Sequence, residues 1–370
     1  MTILFVGHHS SGLNDKGEDT IVYSAAGDLV QKNIFRYLLK ISHASIFFTM
    51  QPCRAWPRGP LFMNSVKKTN GIFSGNITLP LVRHLVFAIK LASYICKVKP
   101  SKVICYNNYF FESAVIIFFS KIFKYKSVII LQDIRAGGDF ALHHRFSDYI
   151  ASTLVKYFDV SVVVSKYMQS YLRLDTRLIK HNSLVFPGGV SDFGQNARLY
   201  DKPTEDFAVF AGSLEKHNGI DLLINTWINS DIKIDLHVFG SGRLSNFVAE
   251  MSSNHDNIHY HGFTSQEIVF DWQVKAKFNF CFRLSDGIDQ EFFFPSKFFN
   301  SVMCPGLLIF NNFLNVPEDL KVSEGYIGND FSLIKIIVEN NKKFIDTFDI
   351  RTYIENEYSW DKLLKSVLLD

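Results

Sequence analysis

The sequence predicts an α/β protein of two doubly wound domains, each a parallel sheet with helices on both faces. Three observations carry that prediction. Short apolar runs of strand length alternate with runs of helical spacing along the chain, the rhythm of βαβ units. The rhythm breaks at Pro187-Gly188-Gly189 and the polar run Ser191 to Glu205, which reads as a linker, and then restarts. A chain of 370 residues exceeds one ordinary core, so two domains of similar size are expected.

In order, Ile3 to Val6 is an apolar strand, and Gly7-His8-His9-Ser10-Ser11-Gly12 is the loop at its end. Ile21, Ala25, Leu29, Ile34 and Leu38 recur at helical spacing between Thr20 and Leu39. Ala44 to Met50 is a second strand. Residues 51–79 hold Pro52, Trp56, Pro57, Pro60, Gly71 and Gly75 and read as a long irregular excursion. Helices then span Leu81–Cys96, Phe110–Phe123, Phe146–Tyr157 and Lys166–Leu172, and strands Lys102–Tyr106, Ser127–Leu131 and Val160–Val164. In the second half the strands are Phe207–Ala211, Ile234–Phe239, Asn257–Tyr260, Phe278–Phe282 and Leu307–Phe310. Helices follow them from Ile220, after Gly242, and from a capping box at Thr264 to Glu267. Tyr353 to Leu369 is amphipathic helix. The domains are set at 1–185, 186–345 and a C-terminal helical segment 346–370.

Composition narrows the function. A net charge of +3 carries no nucleic-acid signature. The 36 phenylalanines must fill cores and leave apolar surface as well. Cys53, Cys96, Cys105, Cys281 and Cys304 never form CxxC and read as small buried hydrophobes of a reducing compartment. The twelve histidines show no HExxH or other metal spacing. The N-terminus lacks a signal-peptide pattern, and no apolar run reaches the ~18 residues that a membrane span needs. A cytoplasmic protein is expected, with peripheral attachment at the inner face of the cell membrane. The Phe-, Ile- and Lys-rich helices between Leu81 and Lys126 are core helices with solvated lysines or rest on anionic lipid.

Ligands of doubly wound sheets sit outside the C-terminal ends of the strands, and with two domains the cleft between them is the expected site. Three second-domain loops lie at such ends: Gly212 to Gly219, Gly240-Ser241-Gly242, and Arg283 to Lys297. Their glycines let backbone approach a ligand, and Lys216, Arg283 and Lys297 supply charge for a diphosphate. Pro295-Ser296-Lys297, with Ser296 as N-cap, opens a short helix whose free amides favour an anion. Taken alone, that triplet reads as an ordinary helix cap; beside the other loops it becomes a diphosphate cradle. In the first domain His8 and His9 follow one strand, and Asp133 and Arg135 follow another. They are the candidate catalytic residues facing the acceptor. No GxGxxG follows the first strand, which argues against a nicotinamide dehydrogenase.

AGSLEKHNGIDLLINTW, LHVFGSG, NIHYHGF and FRLSDGIDQEFFFPSKFF, in that order and spacing, resemble the donor domain of GT-B glycosyltransferases. They are most similar to the retaining, family-four-like enzymes of bacterial surface polysaccharide synthesis. LVFPGGV resembles that family's interdomain segment, and Tyr358-Ser359-Trp360 its C-terminal crossover. The resemblance implies two Rossmann-like domains facing a cleft, with the last helix crossing back to the first domain. It implies transfer of a hexosyl group from a nucleotide-diphosphate sugar to a glycan, lipid-linked acceptor, in O-antigen, capsule or exopolysaccharide synthesis. No metal and no cofactor beyond that co-substrate is implied. Gly212, Ser213, Lys216, Gly240, Gly242, Arg283, Ser296 and Lys297 would line the diphosphate, and Phe263 the base. Asn300 stands where the family keeps a ribose-binding Glu, and Phe292 where it keeps a second acid, for which Glu291 or Asp289 would substitute. Those departures leave a non-catalytic scaffold open as an alternative; a sugar-nucleotide epimerase of the same fold, which makes no demand for a lipid acceptor, is another.

Overall fold

The computed structural model describes residues 1–8, 25–51, 53–80, 82–107, 109–135, 142–174, 182–285, 290–295, 297–340 and 348–369. The chain forms two compact units. The first holds Met1–Gly188, Glu291–Phe293 and Trp360–Asp370; the second holds Gly189–Gln290 and Phe294–Ser359.

The first unit runs β1 (Ile3–Gly7), α1 (Ala25–Ile41), β2 (Ile46–Met50), β3 (Val66–Lys68), β4 (Gly71–Ser74), α2 (Val82–Val98), β5 (Lys102–Tyr106), α3 (Phe110–Phe123), β6 (Lys126–Leu131), α4 (Leu142–Ser152), β7 (Val160–Val163), α5 (Lys166–Tyr171) and β8 (Asn182–Val185). Its sheet has the order β3-β4-β2-β1-β5-β6-β7-β8, parallel except for β3. The central strands are apolar throughout because both of their faces are covered. Phe5, Phe35 and Phe47 stack between α1 and the sheet. The stretch expected to be an irregular excursion holds the β3–β4 hairpin, and β4 extends the sheet beside β2.

The second unit runs α6 (Asp192–Ala197), β9 (Glu205–Ala211), α7 (Ile220–Asn229), β10 (Asp235–Phe239), α8 (Ser245–Asn254), β11 (Ile258–Gly262), α9 (Gln266–Lys275), β12 (Ala276–Cys281), α10 (Phe298–Val302), β13 (Leu307–Phe310), α11 (Leu333–Asn340) and α12 (Phe348–Glu357). All its strands are parallel, in the order β11-β10-β9-β12-β13. Alternate residues of β9 feed two cores. Ala208 and Phe210 join Leu223, Ile224, Trp227 and Ile309, while Phe207 and Val209 join Phe239, Val269 and Trp272. Helices therefore cover both faces. The strand order reverses between β9 and β12 here, and between β1 and β5 in the first unit. Those are the switch points where doubly wound sheets open a crevice at their C-terminal edge.

Three expectations need correction. The polar run after Gly189 is not only a linker, because Asp192–Ala197 is helical. The cap of α9 is Ser265, whose Oγ accepts from the Ile268 amide, and not Thr264. The tail is two helices, and only the last, Trp360–Leu369, joins the first unit, where it packs on α1 and sets Trp360 against Phe186. The preceding α12 stays with the second unit. Its buried Arg351 donates to the Tyr200 carbonyl at 2.9 Å, and Arg198 pairs with Glu355 at 2.7 Å.

Candidate functional site

The C-terminal edge of the second sheet is built by the loops after β9, β10 and β12. They interlock. Gly212 N donates to Phe239 O, Leu214 N to Ser241 O, and Leu284 N to His217 O. Arg283 follows β12, and Asn311 clasps its backbone from both sides, at 2.8 Å to the amide and 2.9 Å to the carbonyl. The guanidinium reaches Asn218 Oδ1 through Nη1 at 3.3 Å, while its Nε is buried without a hydrogen-bond partner. Lys297 Nζ donates to the carbonyl of Ala211, the last residue of β9, at 3.0 Å. Two cations thus converge on the ends of β9 and β12, the strands flanking the switch point.

Among the described residues no carboxylate pairs with either cation. Burial lowers the Arg283 pKa. Desolvation of the inward-turned Lys297 ammonium pushes it down to about 8. Its side chain also keeps open surface, so the ammonium stays accessible to a ligand. Burial pushes the neighbouring Cys281 thiol up to about 12 against the pull of both cations. Positive charge held at a switch point without a carboxylate partner is an arrangement that can receive an anion.

Gly240 and Gly242 do something other than admit a ligand. A Cβ on Gly240, at φ +135°, would stand 1.7 Å from Gly212 O, and one on Gly242 would stand 2.5 Å from Leu214 O. These glycines let the β10 loop seat against the β9 loop. Ser213 is exposed, and its Oγ accepts from Asn218 Nδ2 at 2.6 Å. Lys216 is exposed at the start of a short turn, and Phe263, just beyond β11, is 74% exposed.

Other expected donor contacts resolve differently. Asn300 turns its Oδ1 to the Ser191 amide and hydroxyl, both at 2.9 Å. Phe292 is buried in the first unit between Tyr167 and Tyr171. The adjacent Glu291 carbonyl accepts from Ser165 Oγ at 2.6 Å, a backbone contact within the first unit. Ser296 and Asp289 lie outside the described residues. The helix that Ser296 was expected to open is only five residues long, so its dipole is small and the Lys297 side chain is the stronger anion determinant.

In the first unit, His8 directly follows β1 at the other switch point. Its backbone is held by Gln31, which accepts from His8 N and donates to His8 O, each at 3.0 Å. Its ring stacks on Tyr109 at 4.0 Å. Glu112, fully buried at the start of α3, sits 2.8 Å from His84 Nδ1 and 3.6 Å from His8 Nε2. The second distance is too long for a hydrogen bond, and the contact is electrostatic. Burial pushes Glu112 up, but the two imidazoles prevail and hold it down to about 2; burial lowers His8. The sequence reading misses His84 and Glu112, although a lone acid inside the apolar run FFESAVIIFF is a signal for them.

Asp133 accepts from Asn107 Nδ2 at 3.1 Å, and crowding by protein atoms raises it to about 6, although its side chain keeps open surface. Arg135 was expected to reach a sugar. Instead it forks onto Asp148, at 3.0 Å from Nε and 2.7 Å from Nη2, and contacts His144 at 3.0 Å. Its charge is neutralised within the unit. His9 lies outside the described residues.

No family model matches the chain. It is 28% identical over 224 residues to an uncharacterised glycosyltransferase of Methanocaldococcus jannaschii, covering 56% of this chain and 58% of that protein. The match therefore spans less than two thirds of the relative's length. Among solved structures, the chain is similar over 100% of its length, and 99% of the other, to the lipopolysaccharide outer core galactosyltransferase WaaB, with TM-score 0.63 and 14% identity. It is likewise similar to Anabaena HepE in complex with UDP, over 99% and 98% of the chains, with TM-score 0.62 and 11% identity. These likenesses show the fold: two Rossmann-like domains of the GT-B type.

Proposed function

We propose, from the GT-B fold and the charge at its second switch point, that this protein is a glycosyltransferase taking its sugar from a nucleotide-diphosphate donor. One observation carries the reading. Arg283 and Lys297 meet at the ends of β9 and β12 with no carboxylate partner among the described residues. A diphosphate supplies the missing anion, and UDP in HepE shows that a protein of this fold holds such a ligand. Departure of a nucleoside diphosphate builds negative charge, and prearranged cations stabilise it without a metal. Phe263 offers an exposed face to the base, and Lys216 a further cation.

The finer reading is a retaining hexosyltransferase in which the leaving phosphate helps to deprotonate the acceptor hydroxyl. The acceptor is a glycan on a lipid carrier. In support, no helix among the described residues is long and apolar enough to cross a membrane, yet α2 and α3 expose Leu85, Ile89, Phe118 and Ile122 beside Lys90 and Lys121. An apolar and basic face of that kind rests on anionic lipid. His8 and Asp133, at the ends of β1 and β6, are the first-unit groups proposed to meet the acceptor. Radiolabelled nucleotide sugars offered to the purified protein test the reading. Transfer or donor hydrolysis supports it; a folded protein that does neither with any donor sinks it.

One observation favours a non-catalytic scaffold as the second reading. Asn300 Oδ1 already accepts two hydrogen bonds from Ser191. Asn300→Glu discriminates: a gain in donor affinity or turnover shows that the position serves the donor, whereas no nucleotide binding in either form supports the scaffold.

A further inference from the structure

The edge strand β11 of the second sheet and its neighbour β10 carry a histidine cluster that the donor site does not use. In β10 and β11, Leu236, Val238 and Ile258 point to one core, so the alternate residues Asp235, His237 and His259 share the other face. Parallel pairing sets His237 directly beside His259, with ring centroids 4.7 Å apart. The register then slips, so that Val238 pairs with Tyr260 and Phe239 with Gly262. His261 is left as the extra residue of a bulge, and bulges re-aim side chains. Its Nε2 lies 2.9 Å from His237 Nδ1. On the far side, His259 Nε2 lies 3.4 Å from Asp235 Oδ1.

We propose that Asp235, His237, His259 and His261 form a binding site for a divalent transition-metal ion, zinc first, that clamps β11 to β10. The donor atoms of Asp235, His237 and His259 lie within 4.8 Å of one another. Tetrahedral zinc with bonds of about 2.0–2.1 Å needs ligand atoms about 3.4 Å apart; rotamer adjustments on a partly open surface would close these three, and His261, which stands outside that grouping with its Nε2 2.9 Å from His237 Nδ1, would turn in as the fourth ligand. Three imidazoles with one carboxylate and no thiolate suit zinc, and also cobalt and nickel as probes. Sequence spacing hides this site. His259 and His261 form an ordinary HxH, and only strand pairing brings His237 to them. The site stands independently of the donor reading.

The structure also supplies a reporter. Trp272 of α9 lies 4.4 Å from the His237 ring and 5.2 Å from the His261 ring. The chelator-treated full chain is titrated with Zn²⁺ by calorimetry and with Co²⁺ by visible absorption and tryptophan fluorescence. The expected result is one saturable equivalent, the intense absorption of tetrahedral cobalt, quenching that disappears in Trp272→Phe, and a raised Tm with zinc. His261→Asn and His259→Gln, both at partly open positions, should each weaken binding at least about tenfold while circular dichroism stays unchanged. His84→Gln, in the grouping with His8 and Glu112, should leave the equivalent intact. Wild-type protein that binds no metal saturably, or that binds it equally well in the His259→Gln/His261→Asn double variant, overturns the proposal. So does loss of the equivalent in His84→Gln alone.

Discussion

Arg283→Met is the sharpest test of the donor site, because it should separate stability from binding. Asn311 holds the Arg283 backbone through both the amide and the carbonyl, so the loop does not need the side chain. The guanidinium itself is poorly served. One 3.3 Å contact to Asn218 and a buried Nε without a partner leave it desolvated, with no anion beside it among the described residues. An orphaned buried donor costs about 1–3 kcal/mol, and an unpaired buried charge more. Methionine keeps the apolar stem and removes both costs, so the donor-free variant should melt at the same temperature as wild type or higher. Binding moves the other way. A charge-assisted bond to phosphate is worth about 1.5–3 kcal/mol, which weakens nucleotide binding by about 10- to 150-fold. Calorimetry with UDP and GDP gives the Kd, and thermal unfolding of the same samples gives the stability. A variant that melts well below wild type and binds nucleotide unchanged would make Arg283 a structural residue and refute the reasoning.

The other predictions concern neighbouring groups. Lys297 is lowered to about 8, so donor affinity should be full below that pH and fall, by up to about tenfold per unit, as pH rises through it; in Lys297→Arg the fall should vanish, as titration calorimetry across pH would show. Gly240→Ala forces a Cβ into Gly212 O at a left-handed φ and should cost about 3 kcal/mol or more, read as a lowered denaturation midpoint. The folded pKa of Asp133 is raised to about 6, so its carboxylate opposes folding above that pH and ceases to do so below the unfolded value. Asp133→Asn should therefore raise the Tm relative to wild type at about pH 7.5 and leave it unchanged near pH 4.

What the sequence shows and what it hides follow from the physics of each element. The parallel core strands are legible because burial on both faces makes them continuous apolar runs. The β3–β4 hairpin is not, because Val66–Lys68 is wholly exposed and two of its three residues are lysine. Strand β8, Asn182–Val185, is likewise an edge strand with no buried side chain. Helix α6 hides because six residues that include Gly194 read as a linker. Within the site, Lys216, Arg283 and Lys297 are legible as cations near strand ends. Phe292 is not legible, since its burial against Tyr167 and Tyr171 depends on contacts more than a hundred residues apart in sequence. The histidines of β10 and β11 fail for the same reason, because register across two strands is not written in either one.

The glycines and arginines of this chain show why satisfaction, and not residue type, sorts structure from function. Gly240 and Gly242 look like ligand-approach glycines, but their missing side chains make room for Gly212 and Leu214, so packing accounts for them. Arg135 looks as available as Arg283, since both follow a strand of a doubly wound sheet. Yet Asp148 takes up three of its hydrogen bonds, and folding alone would retain it. Arg283 has no such account. Its charge is desolvated, its Nε is unpartnered, and its neighbour at the switch point is another cation. The cost of desolvating these cations is not met by a carboxylate among the described residues, which is what the proposed donor reading builds on. On the proposed reading, these cations are the part of the donor site that folding does not explain, and a diphosphate would answer their charge.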